Sequence, residues 1–401
     1  MKKKLLLLGG TRYLLPVIEA AHKLGIYVIT CDYLPDNIAH KYSDEYVNAS
    51  IIDKECILQI AQERNIDGIM SFATDPGVTT AAFVAEKLGL PSCGSYESVC
   101  VLQDKGKFRR FLEENDFLVP HAKSYDDIEK VWSDIEYFNW PIIVKPVDSA
   151  GSKGVTRVDS IEKLKESILY ALKYSKSEQF IIEDFIEKKG CSSDSDCFSI
   201  DGELVFTTFS SQRFDGKAEN PYAPMAFSWP STFSEENVEY LKGELQRLLR
   251  LLNMGTSIYN VETRESIDGK PYIMEVSPRG GGNRLAEMIR FATGVDLIMN
   301  AVKAAVGEPV VGLQQKDYNG YWAEYILHSF EEGKYQDVFI DSELKKKNVV
   351  ELDIWVKKGE QVHTFAAANY AIGTVVLRFD SKKEMELIMQ QLDSKIKIVV
   401  E

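Results

Sequence analysis

Residues 259–283 read YNVETRESIDGKPYIMEVSPRGGGN, two short apolar stretches joined at a turn and followed by a run of glycines. Asp268-Gly269 is a typical hairpin turn, so the two stretches are predicted to pair as antiparallel strands. That pairing brings Glu262 and Glu275 side by side. Adjacent carboxylates repel each other unless one is protonated or a cation lies between them. An exposed edge pair is the alternative, although a glutamate within such an apolar run is costly to bury unpaired.

The same segment indicates which cation would satisfy this pair. Magnesium that carries nucleotide phosphates is a hard cation and prefers carboxylate oxygens. Arg279 follows a proline that stiffens the end of the second strand, and residues 280–282 are glycines that leave room for a ligand next to the backbone. The segment therefore predicts a magnesium–nucleotide site with an arginine beside it.

A second stretch, IIVKPVDSAGSKG at residues 142–154, ends a predicted apolar strand with Lys145. The loop after this strand consists of small or cationic residues, namely Ser149, Ala150, Gly151, Ser152, Lys153 and Gly154. Backbone N–H groups of such a loop approach an anion closely, so a phosphate chain fits. The loop lacks the GxxxxGK[ST] pattern of a P-loop. A surface hairpin with a solvated lysine is the alternative that this stretch alone leaves open.

A third stretch, FIIEDFIE at residues 180–187, predicts another apolar strand. Glu183 and Phe185 would share one face of it. The backbone that follows is free to pair with an extended partner, as the edge of an adenine ring requires. A carboxylate at the solvated end of a strand is the alternative.

The composition excludes several classes of function. The chain has 401 residues, 45% hydrophobic and 27% charged, which suits a soluble protein of two or three domains. Its net charge of −14 argues against non-specific binding to nucleic acid or anionic membranes. The six cysteines have no CxxC spacing, so neither a disulfide framework nor a zinc site is expected. MKKKLLLLGG is interpreted as a first strand rather than a signal peptide, and a cytoplasmic protein is expected.

Strands and helices alternate over the first 95 residues, which predicts a parallel α/β sheet with ligands at the carboxyl ends of its strands. Gly9-Gly10 lacks the GxGxxG pattern. We interpret it as a tight turn before a helix, with a bound substrate anion as the alternative. Hairpins and helices after residue 95 predict an α+β nucleotide-binding domain and, from about Tyr318, a small closing α+β segment.

Taken in order, five motifs resemble the ATP-grasp superfamily, in its carboxylate–amine ligase and carbamoyl-phosphate-synthase-like branch. The motifs are Asp104-Lys105, IIVKP with its small-residue loop, IIEDFIE, YNVETR and IMEVSPRGGG. The resemblance implies an ATP-grasp fold with an N-terminal Rossmann-like domain (residues 1–95), an ATP-grasp domain (96–317, flap subdomain about 121–185) and a C-terminal α+β segment (318–401). The chain holds one such ATP unit, whereas the large subunit of carbamoyl-phosphate synthase has two.

The resemblance also implies ATP and Mg²⁺ as ligands and a role for each matching residue. The nucleotide-binding set is Lys105, Lys145, Ser149, Gly151, Ser152, Lys153, Gly154, Glu183, Phe185 and Ile186. In this set, Lys105 and Lys145 hold the phosphates and the loop is a mobile flap over them. Glu183, with the backbone of Phe185 and Ile186, contacts adenine.

Glu262 and Glu275 match the magnesium ligands of the family, and Arg279 matches the arginine that stabilises an acyl-phosphate intermediate. The family often has asparagine two places after the second glutamate. Here Ser277 stands at that place, and its hydroxyl is the expected further ligand. Biotin-carboxylase-like members carry an acidic base shortly after the arginine. Residues 280–283 offer none, which argues against a bicarbonate-using enzyme.

The implied activity is that of an ADP-forming ligase. A substrate carboxylate attacks the γ-phosphate of ATP, an amine attacks the resulting acyl phosphate, and Lys145 and Arg279 are the catalytic cations. An ATP-dependent carboxylase or formate-using ligase of the purine-biosynthesis type is the second hypothesis, and a non-catalytic nucleotide-binding protein is the third. The expected partners are a small-molecule carboxylate and an amine, with neither nucleic acid nor membrane, and the family resemblance allows a homodimer.

Candidates for the substrate pocket are less specific. Arg213, Arg264 and Asn283, together with Gln212, are the polar residues proposed to face it, and a loop at Phe214–Trp229 is predicted to shape it. Plain structural roles explain each of them equally well. The identity of the acid and of the amine does not follow from the sequence.

Overall fold

The chain begins with a parallel sheet, as predicted. The computed structural model describes residues 2–149 and 151–401, so Ala150 of the predicted flap lies outside the described residues. The first strands are β1 (Lys4–Leu8), β2 (Tyr27–Asp32), β3 (Glu45–Asn48) and β4 (Gly68–Ser71), in the order β3-β2-β1-β4. Helix α1 (Leu15–Lys23) connects β1 and β2, α2 (Lys54–Arg64) connects β3 and β4, and α3 (Val78–Leu88) follows β4. Residues 5–8 of β1 are fully buried, as a parallel sheet covered by helices requires.

Two helices lead into a small antiparallel sheet that contains the predicted flap. The helices are α4 (Tyr96–Gln103) and α5 (Lys105–Glu114). The sheet has β5 (Ala122–Tyr125), β6 (Ile142–Pro146), β7 (Thr156–Val158) and β8 (Phe180–Asp184), in the order β5-β8-β6-β7, with α6 (Glu129–Asp134) and α7 (Leu164–Tyr174). Helix α5 begins at Lys105 because the Asp104 carboxylate accepts a hydrogen bond from the Lys107 N–H.

The next part of the chain forms six strands that belong to two sheets. They are β9 (Ser193–Ile200), β10 (Glu203–Phe206), β11 (Ser211–Phe214), β12 (Pro224–Trp229), β13 (Ser257–Glu265) and β14 (Pro271–Ser277), with α8 (Glu235–Leu251) before β13. The order β10-β9-β13-β14 makes an antiparallel sheet. The predicted loop at Phe214–Trp229 is wrong in its second half, where residues 224–229 form β12. This strand lies between two others and is buried on both faces, so its sequence lacks the alternation that would have revealed it.

The C-terminal residues extend a sheet that starts earlier in the chain. After α9 (Leu285–Thr293) and α10 (Leu297–Ala305) come β15 (Tyr321–Leu327), β16 (Gly333–Ile340), α11 (Ser342–Lys347), β17 (Val349–Ile354), β18 (Gln361–Val362), β19 (Gly373–Phe379), α12 (Lys382–Met389), α13 (Leu392–Lys395) and β20 (Ile396–Val400). Strands β15, β19 and β17 complete the sheet β11-β12-β15-β19-β17, and β18-β16-β20 form another. The boundaries at 95/96 and 317/318 stay predictions, and strand pairing crosses the second. Among the described residues, no helix has both the length and the apolar character needed to cross a membrane.

Arg109 of α5 holds three elements together from a buried position. Its Nε lies 2.9 Å from Oε1 of Glu183 in β8, an ion-pair contact without hydrogen-bond geometry. Its Nη1 donates to the Met274 carbonyl of β14 at 2.8 Å. The Arg109 and Glu183 side chains are 3% and 2% exposed. A pair buried to this degree is costly to break from one side, because the remaining charge loses its partner.

We predict that Arg109→Leu lowers the free energy of unfolding by about 3 kcal/mol, because Glu183 loses a buried cation and the Met274 carbonyl loses its donor. Urea unfolding followed by circular dichroism measures this loss. Arg110 is the next residue of the same helix and is exposed, so Arg110→Leu should change the stability by less than about 0.5 kcal/mol. Equal losses in the two variants would contradict the role of Arg109.

Candidate active site

Glu262 and Glu275 stand directly opposite each other in the β13–β14 ladder. Their side chains are 35% and 34% exposed, so both reach an opening rather than the core. A β-bulge follows Glu262 and leaves the pairing before it in register. Burial raises the pKa of Glu262, and repulsion from Glu275 adds to that effect although Arg264 opposes it. Two opposed carboxylates that reach the same opening are a fitting site for a hard divalent cation.

Two lysines approach this opening from neighbouring elements. Lys105, in the first turn of α5, has its Nζ 3.3 Å from Oε2 of Glu275 and donates to the Ser149 carbonyl at 3.1 Å. Burial alone would lower the pKa of Lys105, but Glu275 and Asp75 raise it. Lys145, in β6, has its Nζ 2.7 Å from Oε2 of Glu183. Burial is the main reason that the pKa of Lys145 is lowered.

Glu183 and the strand after it differ from the predicted adenine-binding arrangement. Both carboxylate oxygens of Glu183 lie against cations, Arg109 on one side and Lys145 on the other. Burial would raise the pKa of Glu183, but these two cations lower it to about 2. The Phe185 N–H donates to the Pro141 carbonyl at 3.0 Å, and the Ile186 carbonyl accepts from Arg264 at 3.2 Å. The Glu183 carboxylate therefore positions Lys145, and the contact of this strand with adenine stays a prediction.

The predicted flap is a hairpin of β6 and β7 whose loop starts just beyond Lys145. Gly154 has a φ of 74°, and a Cβ there would lie 2.9 Å from the Pro146 side chain, so the loop requires glycine at this position. The Ser152 hydroxyl donates to the Tyr222 carbonyl at 3.2 Å. Gly151 and Lys153 are exposed. The loop thus closes on the segment before β12 through a single side-chain contact among the described residues.

Arg279 is fixed by a residue of the N-terminal sheet. Its Nε and Nη2 donate to the two carboxylate oxygens of Asp75 at 2.9 and 2.8 Å, and its Nη1 donates to Oδ1 of Asn260 at 3.0 Å. Burial would raise the pKa of Asp75, but Arg279 and Lys105 lower it. No local pattern around Asp75 indicates this ion pair, because its partner lies 204 residues away in the chain.

The glycines after Arg279 serve packing as well as access. A Cβ on Gly280 would lie 2.2 Å from the ring of Phe72, and one on Gly281 would lie 2.9 Å from Oδ1 of Asp196. The Gly280 carbonyl also accepts from the Ala73 N–H at 3.0 Å. The first two glycines therefore allow the end of β4 and the sheet of β9 to approach the backbone, which corrects the prediction that the run only leaves space for a ligand.

Ser277 does not take the predicted place of a magnesium ligand. Its hydroxyl donates to Oδ1 of Asp75 at 3.0 Å and accepts from Nε2 of Gln103 at 2.8 Å, and the residue is 1% exposed. Ser277 therefore steadies the carboxylate that holds Arg279. Among the described residues, no group of three histidine, cysteine or acidic side chains forms a ready metal site. Glu262 and Glu275 would supply two ligands to Mg²⁺, and phosphate and water oxygens the others.

Two further carboxylates lie on the same face of the sheet. In the β9–β13 ladder, Asp194 is opposite Glu262 and Asp196 is opposite Asn260. The Asn260 amide donates to Asp194 at 2.6 Å and to Asp196 at 3.2 Å. Burial, reinforced by Glu262, raises the pKa of Asp194 to about 8, and burial raises the pKa of Asp196 to about 7. Two aspartates spaced by one residue in a strand share a face, so the alternation in SDSDCFSI is the signal from which this pair could be predicted.

The three predicted substrate residues lie in different surroundings. Arg264 approaches Glu262 at 4.0 Å, so it borders the carboxylate pair. Arg213 donates to the Ser211 carbonyl at 3.0 Å and to the Ser228 hydroxyl at 2.8 Å, both within its own sheet. The Asn283 amide oxygen accepts from the Tyr13 hydroxyl at 3.1 Å.

A cavity of about 680 Å³ lies on the Tyr13 side of Asn283 rather than over the carboxylate pair. Arg12, Tyr13, Arg284 and Trp355 are among the residues that line it, and none of the predicted nucleotide-binding residues that the structure describes does so. The Arg12 guanidinium lies 5.4 Å from the centre of the Trp355 ring. The cavity thus offers cations and aromatic surface next to the glycine segment.

Comparison with known proteins agrees with this architecture. An ATP-grasp domain model matches residues 138–287, and an ATP-grasp N-terminal domain model matches residues 18–92. The chain is similar to solved structures of an L-amino acid ligase from Bacillus licheniformis (20% identity, TM-score 0.82, covering 100% of this chain and 99% of that one) and a phosphoribosylglycinamide synthetase from Anaerococcus prevotii (19%, 0.78, 100% of each).

A third similar structure is the biotin carboxylase domain dimer of the 2-oxoglutarate carboxylase from Hydrogenobacter thermophilus, in complex with MgADP and bicarbonate (16% identity, TM-score 0.77, covering 100% of this chain and 91% of that one). At these identities the solved structures establish the fold, which confirms the predicted architecture. With the two matching family models, the chain belongs to the ATP-grasp superfamily of ATP-dependent ligases and carboxylases.

Proposed function

We propose that this protein is an ADP-forming ligase that activates a small-molecule carboxylate with Mg-ATP and joins it to an amine. The observation that carries the proposal is the opposed pair Glu262 and Glu275, which has Lys105 as a cation at 3.3 Å. Two carboxylates and one lysine leave a negative charge that a divalent cation bound to phosphates compensates. Membership of the ATP-grasp superfamily and the MgADP in the biotin carboxylase neighbour support the nucleotide and the metal.

The cations around the opening suit the phosphate chain. Lys105 and Lys145 come from α5 and β6 and lie close enough for each to influence the pKa of Glu262. The flap between β6 and β7 carries exposed Gly151 and Lys153 and would close over the phosphates. Mg²⁺ held by the glutamate pair would neutralise developing charge on the transferred phosphoryl group. Fixed positive charges of this kind lower the barrier without reorganising during the reaction.

The proposed reaction has two steps. A carboxylate oxygen of the acid attacks the γ-phosphorus, the bond to ADP breaks, and an acyl phosphate forms. The amine nitrogen then attacks the acyl carbon and phosphate leaves, which gives the amide. Arg279 would stabilise the acyl phosphate, because its guanidinium is already oriented by Asp75 and Asn260.

An ADP-release assay that crosses a panel of carboxylic acids with a panel of amines tests this proposal. We expect ADP only when an acid and an amine are both present, and a loss of about 100-fold or more in kcat for Glu275→Gln, since one ligand of the phosphate-bound cation is removed. Glu203→Gln, at an exposed ion pair with Arg250, should leave the rate unchanged. ADP release that depends on bicarbonate or formate alone, or ATP binding without turnover across the panel, would refute the amide ligase.

Asp75→Asn tests the positioning of Arg279. The amide lacks the charge and the second acceptor oxygen of the bidentate pair, so we expect kcat to fall about tenfold, while KM for ATP changes less than twofold. Asp67→Asn is the matched control, since Asp67 belongs to the same N-terminal part but is exposed. An unchanged kcat in Asp75→Asn would show that Arg279 does not need this partner.

A further inference from the structure

Asp194 and Asp196 lack a cation of their own next to the proposed metal site. The cations nearest in the sheet are engaged with other acids: Arg279 binds Asp75, and Arg264 approaches Glu262. Asn260 donates to both aspartates, but its neutral amide does not balance their charge. Asp196 is fully buried and Asp194 is partly exposed. The raised pKa values of both acids reflect their burial and this missing charge, and a cation that reaches Asp194 from the opening would favour their ionised forms.

Two buried acceptor oxygens beside Asp194 also have no hydrogen-bond donor in the part of the chain that the structure describes. Gln212 is 4% exposed, and its Nε2 lies 3.5 Å from Oδ2 of Asp194. Its Oε1 is buried and has no partner within the described residues. Oδ2 of Asp196 is likewise buried without a partner there, whereas its Oδ1 accepts from the Gly281 N–H at 2.9 Å. Buried acceptors are normally satisfied, so these two oxygens are available to a ligand that brings N–H or O–H donors.

We propose that Asp194, Asp196 and Gln212 bind the amine substrate and that this amine arrives as an ammonium cation. An ammonium group has N–H donors and no acceptor, which matches two carboxylates and an amide oxygen. A second metal ion fits less well, since the described residues form no group of three metal-binding side chains here. An anionic second substrate such as bicarbonate or formate would oppose the ionisation of the two carboxyl groups, whereas a cation favours it. Asp194 faces Glu262 across the ladder, so the amine would lie beside the acyl phosphate. The Asp194 carboxylate takes one proton from the ammonium group, the neutral nitrogen then attacks the acyl carbon, and the bond to phosphate breaks.

This inference rests on the proposed ligase activity and is tested by Asp194→Asn, which keeps the shape of the side chain and removes its charge. The probes are ammonium, methylamine and glycinamide, which are cationic at neutral pH, and hydroxylamine, which is uncharged. We expect KM for a cationic amine to rise at least tenfold, with KM for ATP and for the acid within twofold. KM for hydroxylamine should stay within twofold, because no charge is lost from that contact.

Asp201→Asn is the matched control, because Asp201 lies in the exposed turn at the end of the same strand. Gln212→Leu is a second variant that removes the free acceptor without changing charge, and it should raise KM for the cationic amines as well. If circular dichroism shows that Asp194→Asn does not fold, the KM values of Gln212→Leu test the inference instead. If the wild type releases ADP with these amines and both folded variants keep its KM values, this inference is wrong and the ligase stands. If the wild type uses no amine with any acid, both are wrong.

Discussion

The register of one β-hairpin is the constraint from which the candidate site follows. Because β13 and β14 pair with Glu262 opposite Glu275, two carboxylates are fixed together on one face and cannot separate without breaking the ladder. Because these carboxylates repel each other, the surrounding residues or a ligand must supply positive charge. Lys105 reaches Glu275 because the Asp104 cap starts α5 at that residue. The hairpin thus brings two negative charges together, and a helix cap from another part of the chain positions a lysine that offsets part of this charge.

A second constraint is the cost of burying Lys145. Its pKa is lowered by burial, so the ammonium would tend to lose its charge without a fixed anion. Glu183 is that anion, and Arg109 and Lys145 together keep its pKa at about 2 in spite of burial. A carboxylate whose pKa is lowered on folding stabilises the folded state above its unfolded pKa, and that stability is lost only as the pH falls towards the folded value. The Glu183 carboxylate thus opposes the loss of charge from Lys145 and orients its ammonium group before any phosphate binds.

The sequence predicts contacts between residues that are close along the chain, but not contacts between distant segments. The Glu262–Glu275 pair follows from a hairpin whose turn and apolar runs lie within 25 residues. The contact between Asp75 and Arg279 spans 204 residues, and no spacing in the sequence connects them. The adenine contact of Glu183 and the strand after it stays a prediction from the motif, whereas the ion pair of its carboxylate with Arg109 could be seen only in the folded chain. The sequence motifs identify which residues form the site, whereas the ion-pair partner of each charged residue is known only from the tertiary structure.

The site also has an electrical polarity that bears on the reaction. Lys105 and Lys145 border the carboxylate pair from α5 and β6, whereas Asp194 and Asp196 border it from β9 on the other side. In a partly buried opening charges are weakly screened, so a polyanion is drawn to the lysines, and a cation at the other end favours the ionised forms of the two aspartates. ATP and an ammonium group fit that division. A carboxylase would have to bring a second anion to this end, where it would oppose the ionisation of Asp194 and Asp196, so the arrangement agrees with the proposed amide ligase.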